Sequence, residues 1–463
     1  MLSRKSLQQA PTRKWLQQVA RRQERFSSST RIAAASKLSC AEFDWADATD
    51  MNSTTKHHSG MTARGAANNF LRRPIVAIDA SRNRSGGAKT HLLGILSAHD
   101  PTQQGVASVH VWSYRKLLDA LPDAPWLVKH HPPELEQSLL RQLWWQRRKL
   151  PQELERQGCD VLLTTDAGSI CSFRPSVVMS RDMLSFEGNE MERYSFLSFA
   201  RLRLFLLRYM QVAALRRATG ALFLTSYAST VIQRFTGTLP VVRIIPHGIA
   251  EQFRQQTIQG KWETSALEIR CVYVSNADMY KHQWQVVRAV AQLRRKGYPL
   301  ALKLIGGGFG PAKELLDQTV AEEDPQGHFV TTFDAVPHED IPKHLADADL
   351  FIFASSCENM PNTLVEAMAA GLPIACSDRG PMPEILEDAG TYFDPEDPAS
   401  IAGAVEKLLV DRPLRMAVAA KAKALSDQYS WSRCARETWA FLVDVWSGHC
   451  ATPMQSVAIN VDR

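Results

Sequence analysis

Pairs of cysteines at redox or zinc spacing are missing from this chain. None of the eight (Cys40, Cys159, Cys171, Cys271, Cys357, Cys376, Cys434 and Cys450) stands in a CxxC arrangement, and several fall inside apolar runs, so they read as reduced core thiols of a cytoplasmic protein. Long hydrophobic runs are missing as well: no window approaches the run of about 18 uncharged apolar residues that a spanning helix needs. No His, Cys, Asp and Glu cluster has ligand spacing, so no metal site is predicted. The pairs His57–His58 and His130–His131 stand in polar sequence or beside prolines, and both read as solvated. A dinucleotide fingerprint is excluded where it comes closest, because LKLIGGGFG runs into Pro311 where G-x-G-x-x-G needs its third glycine.

Acid is scarce at one end only. Up to residue 40, nine Lys or Arg face a single Glu24, and a Ser-rich piece, RFSSSTRIAAAS, closes the basic run. Such a start has the composition of an organelle transit peptide; the other reading is a disordered or mis-assigned leader with the natural start near Met61. Much of the net charge of +6 comes from this leader, so the charge gives no reason to expect a nucleic acid partner.

From Pro74 onward the chain is regular. At 463 residues it exceeds one ordinary core and predicts two domains of roughly 150 to 200 residues each. PIVAIDA, ASVHVWS, CDVLLTT, SVVMS, GALFLT and VVRII read as strands, with THLLGILSA and the long stretch from Glu134 to Gln157 among the helical segments between them. After a polar linker the pattern repeats with RCVYVS, ALKLIGG, FVTTF, DLFIFAS, PIACS and TYF. The alternation predicts an α/β protein of two facing Rossmann-like, doubly wound domains, with the chemistry in the cleft between them. The boundaries expected are a basic leader at 1–73, a first domain at 74–248, a linker at 249–266, a second domain at 267–427, a helix at 428–448 packing back on the first domain, and a tail at 449–463.

Two glycine loops and one pair of carboxylates stand out. Gly86 and Gly87 precede a helix expected to start near Thr90; they would let backbone N–H groups approach an anion, with Lys89 adding charge, or they form a plain turn. Gly306, Gly307, Gly308 and Gly310 come after a buried strand. In SSCENMPNTLVEAMAAGLPIACS, Glu358 and Glu366 are eight residues apart, which on one continuous helix would separate them by about 12 Å. That exceeds the roughly 5 to 9.5 Å of a glycoside hydrolase pair, and Pro361 places Glu358 in the loop before the helix. Thr363 and Glu366 also have capping-box spacing, so Glu366 alone reads equally well as a helix cap.

The segment ENMPNTLVE followed by AMAAGLPI resembles the E-x7-E motif of family-four retaining glycosyltransferases, which have the GT-B fold. RSGGAKTHLLGIL, IIPHGI, VSNADMYKHQWQVVRAV, LIGGGFG and SDRGPMPEIL fall in the family's order, so the likeness runs from Pro74 to about Gly448. It implies a metal-independent, retaining hexosyltransferase in polysaccharide biosynthesis that uses a nucleotide diphosphate sugar as donor and needs no cofactor. By this likeness Glu366 accepts from the ribose, Glu358 meets the donor sugar, Lys281 binds the diphosphate, and the backbone around Asn362, Thr363 and Leu364 meets the same anion. Gly307, Gly308 and Val336 would lie near the base. A uridine donor is expected over a guanosine one because such donors are common in the family.

Two departures matter. Asn276 stands five residues before Lys281 where many members have Arg, leaving Lys89 or Arg379 as substitutes, and VVMSRDML has Arg181 where the family often has His, with Asp182 retained. On the acceptor side, Glu187 and Glu190 lead into a basic amphipathic stretch carrying Arg201, Arg203, Arg208, Arg216 and Arg217. It would either press against anionic head groups, as suits a peripheral enzyme acting on a glycan or lipid-linked acceptor, or simply pack on its own sheet. A nucleotide-sugar epimerase using Asp182, Glu358 and His247, or a non-catalytic sugar-binding protein, remain alternatives at this level.

Overall fold

The computed structural model describes residues 72–84, 86–195, 198–254 and 268–451. The basic leader, most of the expected linker and the end of the tail lie outside that range. The described residues fall in one compact unit that holds two sheets. The first contains β1 (Ile75–Asp79), β2 (Ser108–Trp112), β3 (Leu127–His130), β4 (Val161–Thr164), β5 (Ser176–Met179), β6 (Gly220–Phe223) and β7 (Val242–Ile244), in the order β3-β2-β1-β4-β5-β6-β7. The second contains β8 (Ile269–Val274), β9 (Leu300–Ile305), β10 (Val330–Phe333), β11 (Leu350–Phe353), β12 (Ile374–Ser377) and β13 (Thr391–Phe393), in the order β10-β9-β8-β11-β12-β13. Every pairing is parallel.

The sequence dictates the layering. VLLT, SVVM, GALF, LFIF and IACS are buried at all four positions, as strands covered by helices on both faces must be. In each sheet the strand order turns back beside the first strand, between β1 and β4 and between β8 and β11, and such switch points open a crevice at the strands' carboxyl ends. Five helices serve these crevices: α1 (Gly86–Ser97), α2 (Phe199–Arg217), α3 (Ser226–Thr236), α4 (Asn362–Ala369) and α5 (Trp431–Ala451).

Three expectations need correction. Strand β3 was not anticipated, because an edge strand reading LVKH is only half buried and lacks an apolar run. Its last residue, His130, is therefore not solvated: its ring stacks on Trp112 at 4.2 Å and Nε2 lies 3.0 Å from His110 Nδ1. The stretch from Glu134 to Gln157 is not one helix either. It passes through a 3-10 turn, a short α segment (Leu139–Trp144), a π turn (Trp145–Lys149) and a second α segment (Leu150–Arg156), and Pro151, which has no N–H to continue the ladder, comes just after the π turn.

The closing helix α5 packs on α1, β4 and β5 of the first sheet, burying Trp439, Phe441, Leu442 and Val445, each burial being worth roughly 1.5 to 3 kcal/mol before entropy. The chain crosses between the sheets twice, side by side. Ile249 N donates to Tyr429 O at 3.1 Å, and Arg254 clamps Asp427 Oδ1 at 2.8 Å and the carbonyls of Ser426 and Tyr429 at 2.9 Å. Further bonds close one sheet's layer on the other's. Glu384 accepts from Ser226 N and Tyr227 N, both at 2.7 Å, at the start of α3, and Arg193 reaches Glu396 at 2.8 Å.

Candidate active site

Two cavities meet where the carboxyl ends of both sheets converge. The first, of about 500 Å³, is walled by Gly86, Gly87 and Thr90 of α1, by His247 and Gly248 after β7, by Asn276, Asp278, Tyr280 and Lys281 after β8, by Gly306 after β9, by Val336 and His338 after β10, and by Glu358, Asn362, Thr363 and Glu366 after β11. The second, of about 690 Å³, is lined by Arg82, Asp166, Arg181, Asp182, Asn359 and a run of leucines from α2 and from Leu139 to Leu143. Gly87, His247, Glu358, Met360 and Asn362 border both.

Local sequence explains each placement. After β11 the chain turns through CENM, and Pro361 is the N-cap of α4 with no side-chain cap bond. Glu358 therefore projects from the loop, where its carboxylate accepts from Lys281 Nζ in an ion pair whose partners are 16% and 14% exposed. The ammonium also lies 5.0 Å from the Tyr280 ring and 5.8 Å from Phe353. One turn into α4, Glu366 is buried at 6% exposure. Its Oε1 accepts from His338 Nε2 at 2.7 Å, while Oε2 has no partner among the described residues. The capping box is thus not formed. Burial pushes the Glu366 carboxyl up from its ordinary range, against the pull of His338, and the bond from Glu366 raises the His338 imidazole. A buried carboxylate oxygen without a donor is costly unless a ligand supplies one.

The glycine loop after β9 shapes the floor. A side chain on Gly306, at φ 143°, would come within 2.3 Å of Ser275 O, so this residue must be glycine for the β8 and β9 loops to lie together. In the second cavity, Asp182 accepts from Gln211 Nε2 at 3.2 Å and Leu184 N at 3.2 Å, and burial raises its pKa. Arg181 donates to Thr165 O at 2.7 Å and Asn83 Oδ1 at 3.2 Å, with burial lowering its pKa.

Glu358, Lys281, Glu366, Gly86, Gly87, Val336, Asn362 and Thr363 therefore gather on the first cavity, and Asp182 and Arg181 on the second. Several predicted residues do not join them. Because α1 starts at Gly86 and not near Thr90, residues 86, 87 and 90 share the wall and Lys89 is turned off it. Arg379 is held away by Asp378 and Asp394. Gly307 and Gly308 pack against the backbone at Ala335 and Ala277, leaving Gly306 to face the cavity. Leu364 is fully buried and its N–H is bonded to Pro361 O at 3.1 Å. Glu187 takes the Tyr227 hydroxyl at 2.5 Å, and Glu190 takes Arg193 at 2.7 Å and Ser356 Oγ at 2.7 Å, so both are tied into packing contacts outside the cavity walls.

Sequence reasoning gave His338, Tyr280, Asn359 and Trp431 no role, and gave His247 one only under the epimerase alternative. The available signal was position, since PHG comes directly after β7 and VPHED directly after β10.

Residues 255–425 match the family described as Glycosyl transferases group 1. Over 186 residues the chain is 30% identical to the O-antigen chain mannosyltransferase B of Escherichia coli, covering 40% of this chain and 46% of that one. Over 181 residues it is 34% identical to the GDP-mannose-dependent alpha-(1-6)-phosphatidylinositol monomannoside mannosyltransferase of Mycolicibacterium smegmatis, covering 36% and 45%. The chain thus spans about half the length of the curated relatives it matches. The sucrose-phosphate synthase of Thermosynechococcus elongatus superposes with a TM-score of 0.64 at 16% identity, over 81% of this chain and 100% of that one, which shows a shared GT-B fold. Residues 255–425 thus carry a segment of the group 1 glycosyltransferase family, set in a chain with the GT-B fold.

Proposed function

We propose that the protein transfers a hexosyl group, with retention and without a metal, from a nucleoside diphosphate sugar in the first cavity to an acceptor in the second. The observation that carries this reading is the junction: Glu358 and Asn362 border both cavities, and the Lys281 ammonium and the Glu366 oxygen that has no partner among the described residues line the first. The ribose would donate to Glu366 Oε2, and the diphosphate would draw Lys281 from Glu358, freeing that carboxylate for the sugar hydroxyls. Then the bond from the anomeric carbon to the diphosphate oxygen breaks and its electron pair stays with the diphosphate. The acceptor oxygen bonds to the same carbon from the same face, and its proton passes to the departing diphosphate. Lys281 contributes most in the transition state, where that negative charge grows.

The Mycolicibacterium smegmatis relative is GDP-mannose-dependent and the Escherichia coli one a mannosyltransferase, which favours a guanosine diphosphate mannose donor over the uridine one expected from sequence. A thermal-shift series with GDP and UDP, each without divalent ion, decides. A binder at 100 times its Kd stabilises by about 2.7 kcal/mol. GDP alone is expected to shift the melting point; a shift with UDP alone restores the uridine donor, and a shift with neither removes the donor site.

The acceptor side supports a membrane-presented substrate. On α2, Phe199, Leu202, Leu206 and Tyr209 stand between 59% and 81% exposed, among five arginines and no acid, and Leu139, Leu140 and Trp144 are exposed as well. Leu206 and Leu139 line the second cavity itself. An apolar face with cationic charge fits the surface of an anionic bilayer, although among the described residues no helix is long and apolar enough to cross one. Co-sedimentation with vesicles containing phosphatidylglycerol, but not with pure phosphatidylcholine, is expected, and L202E/L206E should abolish it. Failure to bind either vesicle would refute the surface.

A further inference from the structure

His91 and His247 form a buried pair that the transfer reaction so far leaves without a role. His91, on α1, is 1% exposed and His247 is 6% exposed. Their Nδ1 atoms lie 2.7 Å apart, with ring centroids at 4.7 Å. Two nitrogens at that distance share one hydrogen, so one ring donates and the other accepts. Both rings are locked in place. Trp431 of α5 packs against them at 5.8 and 5.9 Å, in a slot where a side chain on Gly94 or Gly248 would come within 2.3 or 2.2 Å of it. His247 N also donates to Met360 Sδ at 3.1 Å, fixing the loop after β7 to the loop before α4.

The direction of the shared hydrogen is set by the far side of His91. Its Nε2 is buried without a partner among the described residues. A stranded N–H is rarer in folded proteins than a stranded acceptor, so Nε2 is the bare nitrogen and His91 carries its hydrogen on Nδ1. His91 then donates to His247 Nδ1, and His247 must carry its own hydrogen on Nε2. Burial holds both rings neutral: His91 lies well below the ordinary imidazole value, and His247 is lowered to about 3, chiefly by burial and secondarily by the Arg181 charge. A neutral imidazole with one N–H is a donor to an oxygen that gains negative charge. His247 borders both cavities beside Glu358.

We propose that His247 is a catalytic residue whose Nε2–H donates a hydrogen bond to an oxygen of the sugar diphosphate at the junction of the two cavities, and that His91 is the positioning residue that sets this tautomer. The inference rests on the transferase reading. It differs from an acid–base role, because no proton is transferred to or from the ring. The hydrogen bond tightens as the bond to the diphosphate breaks.

Two measurements on the full chain test it. In protein labelled with ¹⁵N-histidine, the proton–nitrogen correlations of the wild type should show His247 protonated at Nε2 and His91 at Nδ1; His247 protonated at Nδ1 would overturn the proposal without any variant. In transfer assays, His247→Ala should lower kcat about 100-fold, with the donor KM changed less than about threefold, and His247→Gln, which keeps an amide donor, should recover much of it. His91→Leu should lower kcat alone, whereas His91→Asn, which can still donate to His247 Nδ1, should restore it. Equal kcat in folded His91→Leu and wild type would refute the positioning role. Absence of transfer and of donor hydrolysis in the wild type would overturn the transferase reading, while the nitrogen correlations would still test the histidine pair by themselves.

Discussion

Replacing Glu366 by alanine separates a ligand-binding carboxylate from a structural one. Oε1 is engaged by His338 at 2.7 Å and Oε2 by nothing described, so the free protein already bears the cost of a buried, half-satisfied carboxylate. Removing it deletes one bond, whose other partner, His338, is 47% exposed at its side chain and can turn to water. It also deletes that desolvation cost, so the two effects oppose one another and the melting point of the free protein should move little. With nucleotide present the balance changes. A hydrogen bond to a charged acceptor contributes about 1.5 to 3 kcal/mol, so affinity for the nucleoside diphosphate should fall roughly 10- to 160-fold. Calorimetric titration, paired with a melting curve of the free protein, reads both quantities. An unchanged Kd with a lowered melting point would mean that the carboxylate serves the fold, and the assignment of Oε2 to the ribose would be wrong.

The same geometry fixes further outcomes. Lys281→Ala should lower kcat about 100-fold while raising KM much less, and Lys281→Arg should recover only part, since the planar guanidinium has a different reach; steady-state kinetics with an unchanged kcat would remove the lysine from the chemistry. The His338–Glu366 pair makes stability depend on pH. His338 has its pKa raised above 6.5 by Glu366, so its contribution is fully present below pH 6.5 and is lost as pH rises through the raised value, and burial of Glu366 acts in the same direction by penalising its charged form. Melting points across that window should fall in the wild type and stay flatter in His338→Ala. Glu384→Ala removes both acceptors from the first N–H groups of α3; denaturant titration should show a loss of about 1 kcal/mol, and solution scattering a more open particle.

The inner strands are legible because burial on both faces writes itself as short continuous apolar runs, and the exposed edge strands β7 and β10 because their β-branched residues still read as strand. Strand β3, the one not read, carries only two apolar residues in LVKH, with Lys129 and His130 completing it, and so offers no run to recognise. Glu358 and Lys281 could be located because the motifs around them resemble those of the family. Residues whose role depends on a distant partner could not. His91 and His247 are 156 positions apart, Glu384 reaches α3 across 158, and Trp431 closes over both histidines only because α5 returns to the first sheet. Lys89 failed for the opposite reason. The glycines were read as preceding the helix, whereas α1 begins at Gly86 itself; a helix starting four residues earlier rotates each side chain by roughly 100° per position, and that phase is not written in composition.

The same phase argument explains why the two glutamates stand at this spacing. Glu358 is placed by the end of β11, a strand locked in register beside β8 and β12, whereas Glu366 is placed by the rotation of α4 about its axis. Pro361 joins the two systems. It cannot continue a helix backwards, so α4 must begin at Asn362 and the position of Glu366 is counted from there. Removing one residue between Pro361 and Glu366 would leave Glu358 and Lys281 paired but swing the second carboxylate about 100° around the helix, off the wall it shares with His338 and into the core formed by Val365, Ala367 and Met368. The spacing is thus a register between a strand end and a helix face. Lengthening the loop before Pro361 would be tolerated better than any change after it.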